Sequence, residues 1–487
     1  MDMHRNGRIA DPAIEKSTPG DNFQYRPAMN ADHRRCTGSH WEDHAFVGMV
    51  PASAPFPTDT AMTYTREALA ALVGDSQFDP RVYGDEALFR LEMTRIFDRS
   101  WLLVGHESLV KQPGSFYATR AGSHPILVWR DGQGTVRAFL NRCTHRGTRL
   151  CSLDRGVASS LVCPYHGWVF AADGALKSVP APEEYGSDFR LGDWGLAPVA
   201  ALDFYRGFLF VRHTKQGPGL REFLGDAASS IDDLVDRAPD GEVEACAIPL
   251  RHRYKGNWKL GFENLNDAHH ARVAHAATVR AATRVTAELA EKATHASLGV
   301  MKANGMPIRQ FSQLDLVTAK YGHSYLFGFI DGQKKQPFPQ DYVDRLSRAR
   351  GAEEAARILS VNRHLTLLYP SATLQGRFQT MRLIHPLGPD LTEIVGYIFR
   401  LKGAPDRMYE EALHYFHISI SPFSPVATDD FELYEGAQEL NASSSAGPIV
   451  VSRLHEPGKA PNAERVVHRG TSEAFIRNQY ATWLSYI

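Results

Sequence analysis

The sequence predicts an α+β protein: a small all-β module followed by a larger domain of antiparallel sheet and helices. Three observations predict it. A chain of 487 residues is longer than one hydrophobic core usually sustains. Residues 101–215 read as short β-rich runs punctuated by turns, whereas residues 216–487 mix helical and strand patterns. In chain order, residues 1–61 are rich in Pro, Ala, Asp, His and Ser, lack periodicity, and read as a poorly ordered extension. Met62 is an alternative start, and His33, His40 and His44 in the extension read as solvated. Residues 62–100 form helices expected to pack on the larger domain, one starting at Thr65 and one at Asp85. The β module contains the apolar runs 125–129 and 204–211 and turns at Asp131-Gly132 and Asp173-Gly174. Gly217-Pro218-Gly219 marks a linker, and strands are expected at 365–369 and 392–399. The last helix opens near Thr471 or Ser472, either of which can cap it.

Hydrophobic residues make up 43% and charged residues 22%, with 54 basic against 55 acidic side chains and a net charge of −1. That balance gives no electrostatic footprint for nucleic acid. Five cysteines, Cys36, Cys143, Cys151, Cys163 and Cys246, are an odd set for a disulfide scaffold and fit a reducing compartment with metal-binding thiols. The first twenty residues lack an apolar signal-peptide core, and no apolar run approaches the roughly 18 residues of a membrane span. A cytoplasmic location away from membranes is expected.

Two clusters carry the chemistry. Cys143-Thr144-His145 and Cys163-Pro164-Tyr165-His166 each offer one thiolate and one imidazole from a tight loop, which Gly147, Pro164 and Gly167 allow to fold closely round a metal. Two Cys and two His meet the ligand count of a [2Fe–2S] centre in which histidines replace cysteines on one iron, and of a Cys₂His₂ zinc site. Zinc fingers present both cysteines and then both histidines, whereas each loop here mixes the types. The stretches 143–147 and 163–168 closely resemble the Rieske loops of ring-hydroxylating non-haem iron oxygenases. The resemblance implies Cys143 and Cys163 on one iron and His145 and His166 on the other. Cys151 lies outside both loops and reads as a buried free thiol. Respiratory Rieske proteins also resemble this motif, but they carry disulfide cysteines at positions matching Thr148 and Tyr165 and hydroxyl donors where this chain has Trp168 and Phe170. Their absence implies a potential toward the low end of the Rieske range.

The second cluster, Asp267, His270 and His275, lies in a segment amphipathic enough for a helix. A lone histidine there would be structural, but the D-x-x-H-x₄-H spacing resembles the catalytic helix of the same oxygenases and implies that His270 and His275 bind a mononuclear iron, with His269 left to packing. At about 100° per residue the two rings would point some 140° apart on a regular helix, so a π-bulge or local unwinding near Arg272 is expected. The third ligand implied is Asp430, with Asp429 as its rival and Glu432 and Glu435 as a solvated face. Two histidines and one carboxylate form the facial triad of oxygen-activating Fe(II). Asp267, three residues before His270, would share its helix face. In the family it links the iron histidines to a neighbouring subunit's Rieske cluster.

The resemblance runs from about Tyr64 to the carboxyl end. It implies a large (α) terminal oxygenase subunit, with an all-β Rieske domain joined to a helix-grip catalytic domain, and one [2Fe–2S] cluster and one Fe(II) per chain. The reaction implied is cis-dihydroxylation of an aromatic ring in aromatic-compound catabolism. NAD(P)H would act through a separate reductase, with or without a ferredoxin, since no dinucleotide-binding fingerprint is present. Assembly would be an α₃ trimer or an α₃β₃ hexamer with a small β subunit. The segment 470–483 is similar to oxygenases of anthranilate, salicylate or halobenzoates, and such a carboxylate would need an inward-facing Arg or several donors. A Rieske monooxygenase or demethylase shares the ligands. An electron-transfer Rieske protein is disfavoured by the Asp267–His275 cluster, and a zinc-stabilised interaction module would be colourless.

Overall fold

The computed structural model describes residues 64–288, 296–329, 338–443, 446–459 and 461–487. The expected extension, Met62 and Cys36 fall outside them. Both early helices form where capping chemistry placed them. Thr65 caps Arg66–Ala71 by accepting the Ala68 N–H, and Asp85 caps Glu86–Glu92 by accepting that of Leu88. The second helix runs on as a π-helical turn, Met93–Phe97.

The β module contains three antiparallel sheets. Ala201–Tyr205, Phe208–Arg212 and Leu102–His106 pair as three strands, and Val136–Leu140, His124–Arg130, Ser115–Ala121 and Arg155–Val157 as four. Ser160–Val162, Val169–Ala171 and Leu176–Ser178 make the third sheet. The apolar run at 125–129 is continuous rather than alternating because the four-stranded sheet is covered on both faces. Leu127 and Trp129 pack with Phe116, Phe139 and both site cysteines. The intervening Ile126 and Val128 pack with Tyr117 and the cluster containing Phe97, Trp258 and Trp483.

The expected linker is instead a pinned loop. The Arg212 guanidinium lies over the Trp101 ring and donates to the carbonyls of Thr214, Lys215 and Pro218.

Beyond it, nine antiparallel strands form one sheet whose longest strand, Leu391–Leu401, lies next to one edge, pairing with Thr380–Gly388 on one side and with Val243–Ala245 and Leu250–Lys255 on the other. The sheet ends at Arg465–Arg469. Helices Trp258–Asn264, Asp406–Ser419 and Pro425–Asn441 lie against it, and the terminal Ala474–Tyr486 helix starts beside Ser472, whose Oγ accepts the Ala474 N–H. A mixed sheet-and-helix domain following an all-β module is the α+β architecture expected. Among the described residues no helix is long and apolar enough to cross a membrane.

A buried polar knot ties the Glu86–Glu92 helix and the terminal helix to the Trp258–Asn264 helix. Glu92, with no solvent exposure, accepts from the indole N–H of Trp258 at 2.9 Å and that of Trp483 at 2.8 Å, and pairs with the Lys259 ammonium. Burial pulls the Lys259 ammonium below its ordinary value, and Glu92 holds it up. Glu92→Ala would leave a buried cation and two indole donors unsatisfied, a loss of about 3–5 kcal/mol. Urea unfolding of the purified variant checks this, and a change below about 1 kcal/mol would mean water satisfies the knot. Glu92→Gln, which keeps an acceptor, should lose less.

Candidate functional site

The two cysteine/histidine loops are built alike. In the first, the Cys143 N–H bonds the Thr148 carbonyl at 2.8 Å and the Gly147 N–H bonds the Cys143 carbonyl at 3.0 Å. In the second, Cys163 to Trp168 spans 2.7 Å and Gly167 to Cys163 spans 3.0 Å, the same offsets in sequence. Gly147 and Gly167 hold φ of 75° and 70°, which a side chain rarely tolerates. Two loops of one design face each other and bring both cysteines and both histidines together. The Cys143 and Cys163 thiols are buried, 1% and 2% exposed, whereas His145 and His166 are half-buried with ring centroids 4.5 Å apart. Trp168 stacks on His145 at 4.7 Å, and the His145 Nδ1 is buried without a hydrogen-bond partner. Burial, then His166, holds the His145 imidazole below its ordinary value, so it stays neutral and able to ligate. Burial also pushes the Cys143 thiol up, with the adjacent Cys163 adding to it. Paired buried thiols and two outward imidazoles, one with an orphaned nitrogen, fit a mixed Cys/His iron–sulfur cluster. Cys151 is a buried free thiol, bracketed by the Asn141 amide.

The second cluster corrects the expectation of one continuous helix. Trp258–Asn264 gives way to a turn in which Asp267 Oδ1 accepts the His269 N–H at 2.8 Å and Asn266 donates to Ser324 Oγ. Asp267 therefore sits in a turn, not on a helix face shared with His270. A short helix, Ala271–Ala274, follows, and the chain breaks again at His275, whose φ of −97° and ψ of 23° fall in the bridge region. Ala276–Glu288 then continues. The expected unwinding is real, but it lies at His275 and is a break, while among the described residues the π-helical turn is at Met93–Phe97.

The break brings the rings together. His270 and His275 have centroids 5.3 Å apart, and their Nε2 atoms lie 3.7 Å and 3.5 Å from Asp430 Oδ1. Asp430 comes from the Pro425–Asn441 helix and accepts from the Asn264 amide at 3.3 Å. One donor atom from each of His270, His275 and Asp430 falls within 4.8 Å of the others. Asp429 is not in this set: its Oδ2 lies 3.3 Å from the opposite ring nitrogen, Nδ1 of His275, and so orients that ring. Burial pushes the Asp430 carboxyl above the usual range, opposed by both histidines, and burial holds the His270 imidazole low. Two imidazoles and a carboxylate costly to bury alone are a donor set that a divalent cation would complete. His269 belongs to the turn and gives its backbone N–H to Asp267.

Asp267 Oδ1 also accepts from Arg453 Nη2 at 2.8 Å, while His270 Nδ1 is buried and unpartnered. Its carboxylate is thus gripped by Arg453 rather than by the histidine. A second Asp–His–His group, Asp98, His124 and His213, is half-exposed, and its His213 Nε2 already faces the Ala121 carbonyl. Beside the His270 group opens a cavity of about 150 Å³ with walls that include Val300, Met301, Phe311, Leu365 and Ile420, and with Arg382 at its edge.

Residues 100–199 match the Rieske [2Fe-2S] domain family, and residues 229–472 match the ring hydroxylating alpha subunit (catalytic domain) family. Biphenyl dioxygenase subunit alpha of Paraburkholderia xenovorans (strain LB400) is 30% identical over 470 residues, 88% of this chain and 95% of that protein. The chain belongs to the ring-hydroxylating α subunits. Anthranilate 1,2-dioxygenase large subunit of Acinetobacter baylyi (strain ATCC 33305 / BD413 / ADP1) is 32% identical over 66% of this chain and 68% of its own. Naphthalene 1,2-dioxygenase with indole bound in its active site superposes with a TM-score of 0.71 at 26% identity, covering 85% of this chain and 93% of that one. This α subunit is thus an oxidoreductase of the Rieske dioxygenase type, whose cofactors are a [2Fe–2S] cluster and a mononuclear iron.

Three partners in the α subunit's site were not assigned from sequence. Asn264 on Asp430 and Arg453 on Asp267 carry no local signal. Arg382 did, as a charge inside the buried apolar strand Thr380–Gly388.

Three substitutions test metal content. Cys163→Ala should abolish the brown colour and the reduced-state EPR signal; retention of both would remove Cys163 from the ligands. Asp430→Ala should lose the mononuclear iron with the Rieske spectrum intact, whereas Asp429→Ala should weaken iron binding about 10–100-fold, read by iron titration.

Proposed function

We propose that this α subunit dihydroxylates a single aromatic ring bearing a carboxylate, of the anthranilate, salicylate or halobenzoate class, yielding a cis-dihydrodiol. The observation that carries the reading is the cavity beside His270, His275 and Asp430. Its volume of about 150 Å³ is what an apolar cavity needs to take up one benzene ring, and anthranilate dioxygenase is among the relatives.

Cys143, His145, Cys163 and His166 would hold the [2Fe–2S] cluster, and His270, His275 and Asp430 the iron. When bound, the cluster supplies stored electrons and the iron supplies O₂ activation at positions three protein ligands leave open. The chain's own residues do the rest. Asp429 orients His275, the Asn264 amide fixes the Asp430 carboxylate, and the apolar walls exclude water while holding the ring edge toward the three donors. Overall, one ring, one O₂, one NAD(P)H and one proton give one dihydrodiol and NAD(P)⁺. The NAD(P)H is oxidised by a separate reductase, with or without a ferredoxin.

We assign residues 62–100 to helices packed on the catalytic domain, 101–215 to the Rieske domain and 216–487 to the catalytic domain, in a cytoplasmic α₃β₃ assembly. Asp267, at the cavity and on the Arg453 guanidinium, is assigned to the link with a neighbouring subunit's cluster.

The test is turnover under ¹⁸O₂ with a reconstituted reductase and a panel of aromatic substrates. Two labelled oxygens in one product support dihydroxylation. One labelled oxygen, or release of formaldehyde from an N-methyl substrate, would make the protein a monooxygenase or demethylase. Asp267→Asn, which keeps the shape but loses the charge and one acceptor, should retain both metals and slow reoxidation of the pre-reduced cluster by about 10–100-fold in single turnover. Reoxidation at the wild-type rate would reduce Asp267 to an anchor for Arg453.

A further inference from the structure

Arg382 stands on the Thr380–Gly388 strand, opposite Thr373 on one neighbour and Gly396 on the other. Strand alternation sends Met381 and Leu383 into the core on the far side of the sheet. Arg382 and Ile384 turn the other way, toward the helices that carry His270 and Asp430. Two cavities meet there, the one of about 150 Å³ beside the histidines and a smaller one of about 40 Å³, and both are lined by Arg382, Ser419, Ile420 and Asp430.

What sets Arg382 apart is what it lacks. Among the described residues its guanidinium forms no ion pair and no hydrogen bond. Arg237, which is 1% exposed, pairs with Asp233 at 2.9 Å and donates to the Val361 carbonyl. Asp430 is already engaged by Asn264 and the two histidines. The Ser419 hydroxyl beside Arg382 is likewise buried without a partner. Burial pulls the Arg382 guanidinium below its ordinary value, only partly offset by Tyr415, Tyr434 and Asp430. An enclosed cation with five donors and no acceptor is expensive unless an anion comes to it, and its planar fork matches a carboxylate.

We propose that Arg382, with the Ser419 hydroxyl beside it, is the anchor for the substrate's carboxylate and so the residue that selects aromatic acids over neutral aromatics. The inference rests on the proposed ring dihydroxylation and gives that reaction its specificity. The carboxylate docks on the guanidinium where the two cavities meet, and the ring fills the larger one between Met301, Phe311 and Leu365. The volume of the larger cavity matches one ring, so single-ring acids are the substrates expected.

The experiment is direct binding to the metal-loaded holoenzyme, without reductase, so that it stands apart from turnover. Benzoate, 2-aminobenzoate and 2-hydroxybenzoate are each titrated by calorimetry against their own primary amides. Wild type should bind at least one acid about 100-fold more tightly than its amide. Arg382→Gln should erase that preference with iron content and cluster spectrum unchanged, and Arg382→Lys, a charge without the fork, should retain part of it. Equal wild-type affinity for every acid and its amide would overturn the proposal even if Arg382→Gln proved insoluble. So would an Arg382→Gln protein that keeps the preference, or one that loses its iron, since Arg382 would then serve Asp430. Dihydroxylation of neutral aromatics alone would sink the anchor and leave the ring chemistry standing, whereas binding of acids without oxygen incorporation would do the reverse.

Discussion

The Glu92 carboxylate is the constraint on which the placement of His270 and His275 depends. It comes from the helix near the start of the described chain, and it accepts from Trp258 and Lys259 in the first turn of the Trp258–Asn264 helix and from Trp483 in the terminal helix. Three segments far apart in sequence are thereby fixed to one point a few residues before the turn that carries Asp267 and His270. A charge at that depth costs several kcal/mol to desolvate, so the knot gains its strength from being fully satisfied. Neighbouring Asn257 works in the same way. It is 1% exposed; its amide donates to the carbonyls of Tyr83 and Pro389, and its N–H bonds Gln438 Oε1. Gln438 lies two helical turns beyond Asp430 on the same helix. The start of the helix that precedes the histidines is thus locked in register with the helix that delivers the carboxylate.

Given that register, the remaining problem is angular, and the chain solves it by breaking the helix twice. A straight helix would separate His270 from His275, and the breaks at 265–270 and at His275 remove that separation at the cost of several backbone bonds. Local side chains offset the loss through the Asx turn of Asp267 and the Asn266–Ser324 bond. The residues whose positions permit iron binding also end the helices. Asp429 and Asp430 then divide the two ring nitrogens of His275 between them, one setting its orientation and the other sharing its open side.

How much of this was legible follows from how local each feature is. The Rieske loops were readable because each is a closed hydrogen-bonded turn with its glycine, cysteine and histidine inside six residues, so its shape is set locally. The α+β division was readable from the run at 125–129, although periodicity alone could not say that its sheet is buried on both faces. The helix break was half-readable: geometry required one, but the π-bulge expected near Arg272 lost to the turn-forming pull of Asn266 and Asp267 and the bridge-region backbone at His275. The Asp267 helix-face argument failed with it. Asp430 over Asp429 could be chosen only through family resemblance, since adjacent acids on one helix differ by about 100° in direction and only the packing of that helix decides which meets His270. Arg382 illustrates the limit. Its strand was readable, but the face it presents depends on pairing with strands at 372–375 and 391–401.

The two sites are built by opposite means, and that bears on how each tolerates change. The Cys/His loops owe their geometry to backbone bonds within each loop, so substitutions elsewhere should pass them by. The His270–His275–Asp430 group is assembled across about 160 residues, and its geometry is set by Asn257, Gln438 and Glu92, none of which touches it. Packing shifts are discrete rather than graded, so altering that frame would move Asp430 out of reach as a unit. The ring stack of Tyr254 on Phe431, on the helix turn that carries Asp430, resists such a shift. The Glu92 and Asn257 knots sit deep and bonded on every side, whereas the unpartnered Ser419 hydroxyl and the unpaired Arg382 guanidinium line the cavity, where a bound molecule can supply what they lack.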